Sequence, residues 1–281
     1  GAYSSTQNAT SPADLSDFDP STFYWVPGIK RNSSDPFNQS TYDLPCFGGT
    51  FRAIEGGNCT LAPVGQFVGT WGATNSTACA PGTWQNQTGQ TSCIDADAGH
   101  FVSSSGSTDQ AHCYPGTYQP DPGQASCMNA TAGHYVDTNG SASQTPCSLG
   151  TYNPSNGSNS SVACMNATAG HYVDTNGSSS QTPCAAGTYN PNSSSNSSSD
   201  CLTTPAGNYS NPGDGSISPC APGTWQDQTG QASCMNATAG HYVDSNGSSS
   251  QTPCSPGTWQ NQTGQASCMN ATAGHYVDSN G

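Results

Sequence analysis

Five histidines recur in the setting Gly-His-aromatic, at His100, His134, His171, His241 and His275, and His112 stands outside that pattern. Imidazoles at a regular interval could bind a metal or move protons. A metal site needs several ligands converging, and each repeat supplies one His among cysteines that we read as oxidised. Two further repeats carry Gln66 and Asn208 at the same place. His, Gln and Asn share neutral hydrogen bonding, so the position reads as structural. Asp137, Asp174, Asp244 and Asp278 open Asp-x-Asn-Gly stretches that look like the start of a calcium loop. The bidentate acid that completes such a loop is missing, and an Asx-type turn fits better. There are no carboxylate pairs at a useful spacing, no Ser/His/Asp set and no phosphate-cradling Gly loop. We therefore expect no catalytic residues, no metal and no cofactor, and the chain does not read as an enzyme.

Asparagine carries a stronger signal. Of 23 Asn residues, Asn153, Asn190 and Asn211 precede Pro, and Asn280 lies too near the last residue to judge. The other 19 all sit in Asn-x-Ser/Thr with x not Pro: Asn8, Asn32, Asn38, Asn58, Asn75, Asn86, Asn129, Asn139, Asn156, Asn159, Asn166, Asn176, Asn192, Asn196, Asn208, Asn236, Asn246, Asn261 and Asn270. Ser and Thr are abundant, but not abundant enough to produce this by composition. Repeat duplication explains Asn129, Asn166, Asn236 and Asn270, but not the scattered sites of residues 1–60. N-glycans are added to surface positions of secretory-pathway proteins, so the pattern predicts an extracellular glycoprotein.

These residues are positioned by a repeat, which the 14 cysteines mark. Units begin at Cys46, Cys79, Cys113, Cys147, Cys184, Cys220 and Cys254. The chain thus divides into a Cys-free segment 1–45, units 46–78, 79–112, 113–146, 147–183, 184–219 and 220–253, and an incomplete unit 254–281. The first half of a unit reads Cys-x-x-Gly-Thr-aromatic and runs to a second Cys, as from Cys79 through Trp84 to Cys93. The second half reads Ala-Gly-His-aromatic followed by Val-Asp-Thr-Asn-Gly, as from Ala132 to Gly140. A Gly just before a large ring suggests a turn feeding a short strand, and Asn-Gly is hairpin-turn chemistry. No window shows capped helical periodicity. The expected fold is small, disulfide-rich and all-β: a tandem array of short β-hairpin modules forming an elongated rod.

Residues Cys79-Ala-Pro-Gly-Thr-Trp-Gln-Asn-Gln-Thr-Gly-Gln-Thr-Ser-Cys93 resemble an ephrin-receptor-like cysteine-rich repeat, related to modules of the tumour-necrosis-factor-receptor type. The likeness extends over about residues 46–281 and recurs in each unit. That family carries a further Cys pair at each junction. Here one member is replaced by Ala62, Ala96, Ala130, Ala167, Thr204, Ala237 and Ala271, and the other by Ser76, Gln110, Gln144, Gln181, Ile217 and Gln251. The resemblance then implies the bridges Cys46–Cys59, Cys79–Cys93, Cys113–Cys127, Cys147–Cys164, Cys184–Cys201, Cys220–Cys234 and Cys254–Cys268. A register shifted by one, Cys59–Cys79 and onward, strands Cys46 and Cys268. Each loop closed in this way contributes about 3 kcal/mol. The second halves are left to be held by turns and rings alone.

Composition sets the outer bounds. Leu, Ile, Val and Phe total 25 residues of 281, too few for one apolar core. The only cations are Lys30, Arg31 and Arg52, against 17 acids, for a net charge of -14. Such a chain cannot neutralise phosphates, which excludes nucleic acid and anionic membrane surfaces as partners. The most apolar run, Phe23 to Val26, is far too short to insert in a membrane.

Segment 1–45 holds Phe18, Phe23, Tyr24, Trp25, Phe37 and Tyr42 and reads either as a linker that folds back over the first unit or as an assembly arm that docks on a neighbouring subunit. No leader is visible, which fits a mature terminus left after one was removed, and we expect the chain to run on past Gly281 with more repeats or an anchor. The resulting expectation is a structural subunit of a secreted or cell-surface filament, such as a flagellar hair or coat fibre, that self-associates and carries covalent N-glycans. The alternative is a receptor-like or protist surface-coat ectodomain that binds a ligand or acts as a surface antigen.

Overall fold

The computed structural model describes residues 45–55 and 57–278, so the Cys-free segment 1–45, with its expected role as an assembly arm, lies outside the described residues apart from Pro45. Among the described residues there are thirteen two-stranded antiparallel sheets, each a hairpin of consecutive strands. They alternate between two types. Those with Cys at the entry position are hairpin 1 (Thr50–Phe51 with Thr60–Leu61), 3 (Thr83–Trp84 with Ile94–Asp95), 5 (Thr117–Tyr118 with Met128–Asn129), 7 (Thr151–Tyr152 with Met165–Asn166), 9 (Thr188–Tyr189 with Leu202–Thr203), 11 (Thr224–Trp225 with Met235–Asn236) and 13 (Thr258–Trp259 with Met269–Asn270). Between them come the Ala-type hairpins 2 (Gln66–Phe67 with Thr77–Ala78), 4 (His100–Phe101 with Ala111–His112), 6 (His134–Tyr135 with Thr145–Pro146), 8 (His171–Tyr172 with Thr182–Pro183), 10 (Asn208–Tyr209 with Ser218–Pro219) and 12 (His241–Tyr242 with Thr252–Pro253). One sequence unit is therefore two structural modules, one bridged and one not.

The described residues form two compact units, one within Gly1–Cys79 and Gln85–Cys93, the other within Ala80–Trp84 and Ile94–Gly281. In each, consecutive hairpins are joined by backbone hydrogen bonds. In the first, Gly65 N donates to Gln85 O (2.7 Å), Cys79 N to Gly65 O (2.9 Å), Val68 N to Gln90 O (3.0 Å) and Gly89 N to Ala62 O (2.8 Å). In the second, hairpins 6 and 7 repeat the step: Gly133 N to Asn153 O (2.7 Å), Cys147 N to Gly133 O (2.8 Å), Val136 N to Ser158 O (2.9 Å) and Gly157 N to Ala130 O (2.7 Å). Two-residue strands cannot stand alone in water. Here each is stabilised by its neighbour, and the main chain, not apolar mass, carries the join.

The core is correspondingly thin. The entry residue of each module is buried (Cys113 0%, Ala130 0%), as is the residue after the aromatic from hairpin 2 onward (Gln119 4%, Val136 2%); in hairpin 1 it is Arg52, half-buried. Gly also has to stand three residues after entry. At Gly170 φ is +83°, and a Cβ there would run into the carbonyl oxygen of Gly213, two hairpins further on. Hairpin 10 carries Thr204 and Ser210 where others carry Ala and Val. Both are fully buried, and their hydroxyls bond each other. A larger entry residue is matched by a smaller partner, and both polar groups are satisfied.

All 14 cysteines are bridged, within the Cys-type hairpins, at Cα separations of 5.6 to 5.8 Å: Cys46–Cys59, Cys79–Cys93, Cys113–Cys127, Cys147–Cys164, Cys184–Cys201, Cys220–Cys234 and Cys254–Cys268. These are the same seven pairs that the resemblance implies. A chain stapled in this way belongs to an oxidising compartment. Among the described residues no helix is long and apolar enough to cross a membrane.

Candidate functional site

The chemistry-bearing residues fall at fixed positions of the hairpin. In the Cys-type module the buried amide after the aromatic closes the disulfide loop from inside. Gln85 donates through Nε2 to Ser92 O (3.0 Å) and accepts at Oε1 from Gln87 N (3.1 Å). In hairpins 7 and 9, where the loop is longer, Asn153 and Asn190 do this work. Asn153 Nδ2 donates to Ser158 Oγ (2.8 Å) and His134 O (3.0 Å), and Ser155 N donates to its Oδ1 (3.0 Å). The added residues form the 3-10 turns Ser161–Ala163 and Ser198–Asp200, capped by Ser160 and Ser197.

The Ala-type module lacks a bridge, and in hairpins 4, 6, 8 and 12 a side-chain clasp occupies its place; hairpin 2 has Ser76 there, bonded to Gln66, and hairpin 10 has Ile217. Gln144, where the second Cys would stand, accepts at Oε1 from Thr131 N (2.7 Å) and donates through Nε2 to Thr131 Oγ1 (2.9 Å). Gln181 holds Thr168 and Gln251 holds Thr238 in the same manner. In hairpin 4 the partner is Asp97, whose N and Oδ2 are both 2.6 Å from the Gln110 amide. In these four hairpins the expectation that turns and rings alone hold the half is thus replaced by an amide clasp across the strand ends.

The histidines belong to the same clasp. His134 Nδ1 lies 3.3 Å from Ala132 O and 3.2 Å from Thr131 Oγ1. A proton on Nδ1 satisfies both acceptors, and the Thr131 hydroxyl then donates to Gln144 Oε1 (3.1 Å). Asn208 supports that tautomer, because its Nδ2, a pure donor, reaches the matching carbonyl of Ala206 (3.1 Å). His112, outside the motif, stands directly across from His100 in hairpin 4, with ring centroids 6.5 Å apart. Tyr114 meets His112 edge-on at 5.5 Å. Among the described residues no three His, Cys, Asp or Glu side chains come together as a metal site. The turn residue Asp137 is exposed, and Asp174 and Asp244 accept only from the hydroxyls of Thr175 (3.2 Å) and Ser245 (3.0 Å). The Asp-x-Asn-Gly stretches 137–140, 174–177 and 244–247 sit inside longer loops between the strands, with Gly140 at φ +70°, and do not form two-residue hairpin turns; the stretch from Asp278 runs outside the described residues.

The sequon asparagines separate cleanly by exposure. Asn8, Asn32 and Asn38 lie outside the described residues. Asn58, Asn75, Asn86, Asn129, Asn139, Asn156, Asn159, Asn166, Asn176, Asn192, Asn196, Asn236, Asn246, Asn261 and Asn270 are exposed, and Asn208 is half-buried. The buried asparagines are Asn153 (1%) and Asn190 (0%), and both precede Pro. Asn153-Pro154-Ser155 would be a sequon but for its proline.

All four methionines occupy one position, directly across from the aromatic of a Cys-type hairpin, as Met128 faces Tyr118 and Met235 faces Trp225. They are 40 to 43% exposed. The Gln–Thr clasp and the buried Gln or Asn went unread in the sequence. The signals were the Gln repeated at a lost Cys position and the alternation Gln85, Val102, Gln119, Val136 after successive aromatics. Compared with protein-family models the chain matches none, and no match is found among curated proteins.

Proposed function

We propose that the chain is a structural subunit of an extracellular, heavily N-glycosylated filament or stalk. The observation that carries this reading is the division of asparagines: among the described residues the exposed ones, Asn211 apart, lie in sequons, while the two that the fold buries, Asn153 and Asn190, precede Pro. Glycans at the exposed positions would leave the thin core untouched. The array supports a structural role in a second way. Its backbone hydrogen bonds join successive modules, its histidine contacts close single ones, and the modules differ little from one another. The resemblance to ephrin-receptor-like repeats is part of the proposal at the level of module type, without a ligand.

Self-association is assigned to the aromatic segment 1–45, by strand addition to a neighbouring copy. Electron microscopy of the purified native material should display filaments with helical order, lost on deletion of residues 1–45. Monodisperse globular particles from the intact chain would refute the filament reading. Peptide mapping after enzymatic release of N-glycans should mark the exposed sequons; an unmodified chain from its native source would refute the glycoprotein reading.

A further inference from the structure

Two structural classes stand apart among the described sequons. Asn86, Asn159 and Asn261 lie in disulfide loops, and the hydroxyl residues two places on, Thr88, Ser161 and Thr263, are exposed with them. Asn129-Ala130-Thr131, Asn166-Ala167-Thr168 and Asn236-Ala237-Thr238 instead straddle the core. Their middle residues are 0% exposed. Ala130 donates to Gly116 O (2.8 Å) in the preceding hairpin and accepts from Gly157 N (2.7 Å) in the following one. The Thr131 hydroxyl is held by Gln144 and His134, as Thr168 is by Gln181 and His171. The sequon Asn208-Tyr209-Ser210 is locked further: Ser210 is 0% exposed and bonded to Thr204, and Asn208 Nδ2 itself donates to Ala206 O.

Glycan transfer joins Asn Nδ2 to the anomeric carbon of an oligosaccharide. The bond from that carbon to the oxygen of a lipid diphosphate breaks, the diphosphate leaves with the electron pair, and the amide gives up a proton to solvent. The transferase has to take all three sequon residues into its groove and hydrogen-bond the hydroxyl of the third. For the loop sequons this disturbs only bonds inside the disulfide loop, such as Gln87 N to Gln85 Oε1 (3.1 Å) and the Ser160 cap, and none to a neighbouring hairpin. For the core-straddling sequons it demands withdrawal of a buried Ala, loss of bonds to both neighbouring hairpins and release of the Thr hydroxyl from its clasp.

We propose that Asn129, Asn166, Asn208 and Asn236 accept glycans only before their hairpins close, so that modification precedes folding at these sites, while Asn86, Asn159 and Asn261 remain acceptors on the folded chain. This rests on the reading of the sequons as glycan acceptors. The same Thr hydroxyl serves twice, first for the transferase and then for the clasp, and a chain that folds ahead of transfer closes the site permanently.

The test compares the full-length chain, made without glycans, in its oxidised seven-bridge form and after reduction and alkylation. Each is given a purified oligosaccharyltransferase with a lipid diphosphate-linked oligosaccharide, and occupancy is mapped at each Asn by mass spectrometry. Both classes should be modified in the reduced chain. In the oxidised chain the loop sites should keep their rate, and the core-straddling sites should fall by roughly tenfold or more, as expected for a segment that reacts only through local opening. Equal rates at the two classes in the oxidised chain would overturn the proposal, as would a fall at both. No transfer to either class in the reduced chain would overturn the glycoprotein reading itself and the proposal with it. Should the unglycosylated chain fail to form its bridges, the comparison moves to secreting cells. Reductant during synthesis should there raise occupancy at Asn129, Asn166, Asn208 and Asn236 without changing Asn86, Asn159 and Asn261; no difference between the classes would overturn the proposal.

Discussion

Gln181 commits both ends of its amide to Thr168, accepting from the backbone N–H at 2.8 Å and donating to the hydroxyl at 3.0 Å. Each such bond has a net value near 1 kcal/mol, and an exposed clasp sits at the low end of that range. Gln181→Ala should therefore cost about 1–2 kcal/mol, read as faster amide exchange at Thr168 and His171 with little change in hairpin 12. Gly170 is far less forgiving. Its φ of +83° and the carbonyl of Gly213 beside it leave no room for a methyl group. Gly170→Ala should cost at least about 3 kcal/mol, measured as a lowered denaturation midpoint together with loss of exchange protection in hairpins 8 to 10. Side chains that point outward, such as Met235, should tolerate substitution with little effect.

At the scale of the element, the two hairpin types are alternative solutions to one closure problem. A bridge closing a loop of 13 to 17 residues contributes about 3 kcal/mol by restricting the unfolded chain. An amide clasp contributes less but leaves the module free of redox chemistry. The two should be interchangeable, because Ala167 and Gln181 stand where Cys147 and Cys164 stand in the preceding hairpin. Ala167→Cys with Gln181→Cys should form an eighth bridge, seen as the loss of two hydrogens in the intact mass. The net gain should be about 1–2 kcal/mol after the lost clasp is subtracted. A pair that stays reduced in air would show the geometry to be wrong. The hairpins were legible from the sequence because Gly before an aromatic, repeated with the same spacing, states where a turn ends and a strand begins. The bridges followed from the module type. The joins between hairpins were not legible, since they run through N–H and C=O groups that every residue carries. The clasp was half legible: Gln110, Gln144, Gln181 and Gln251 stood out as replacements for Cys, but nothing in the sequence alone pairs them with Asp97, Thr131, Thr168 and Thr238.

At the scale of the array, contacts among the described residues reach the next hairpin and the one after it, as Gly170 against Gly213 illustrates. Stability in such an array is a sum over modules and their neighbours. Removing residues 220–253 brings Cys254 to the position of Cys220, with the same Gly and aromatic following. The shortened chain should form six bridges and keep its denaturation midpoint within a few degrees, as measured by circular dichroism and intact mass. Aggregation or scrambled bridges would show that the modules are not equivalent.

The placement of the bridges also governs how the chain would respond to being pulled. Each one closes its loop inside a single hairpin, so tension applied through the ends bypasses the residues between the paired cysteines. In every Cys-type module 13 to 17 residues stay coiled behind a covalent lock, which amounts to about 45–60 Å of slack per module at ~3.4 Å per residue. Only the clasped modules can lengthen under load while the environment stays oxidising. Alternation of the two types thus makes the chain extensible in every second module and inextensible between, and a reductant would release the stored length.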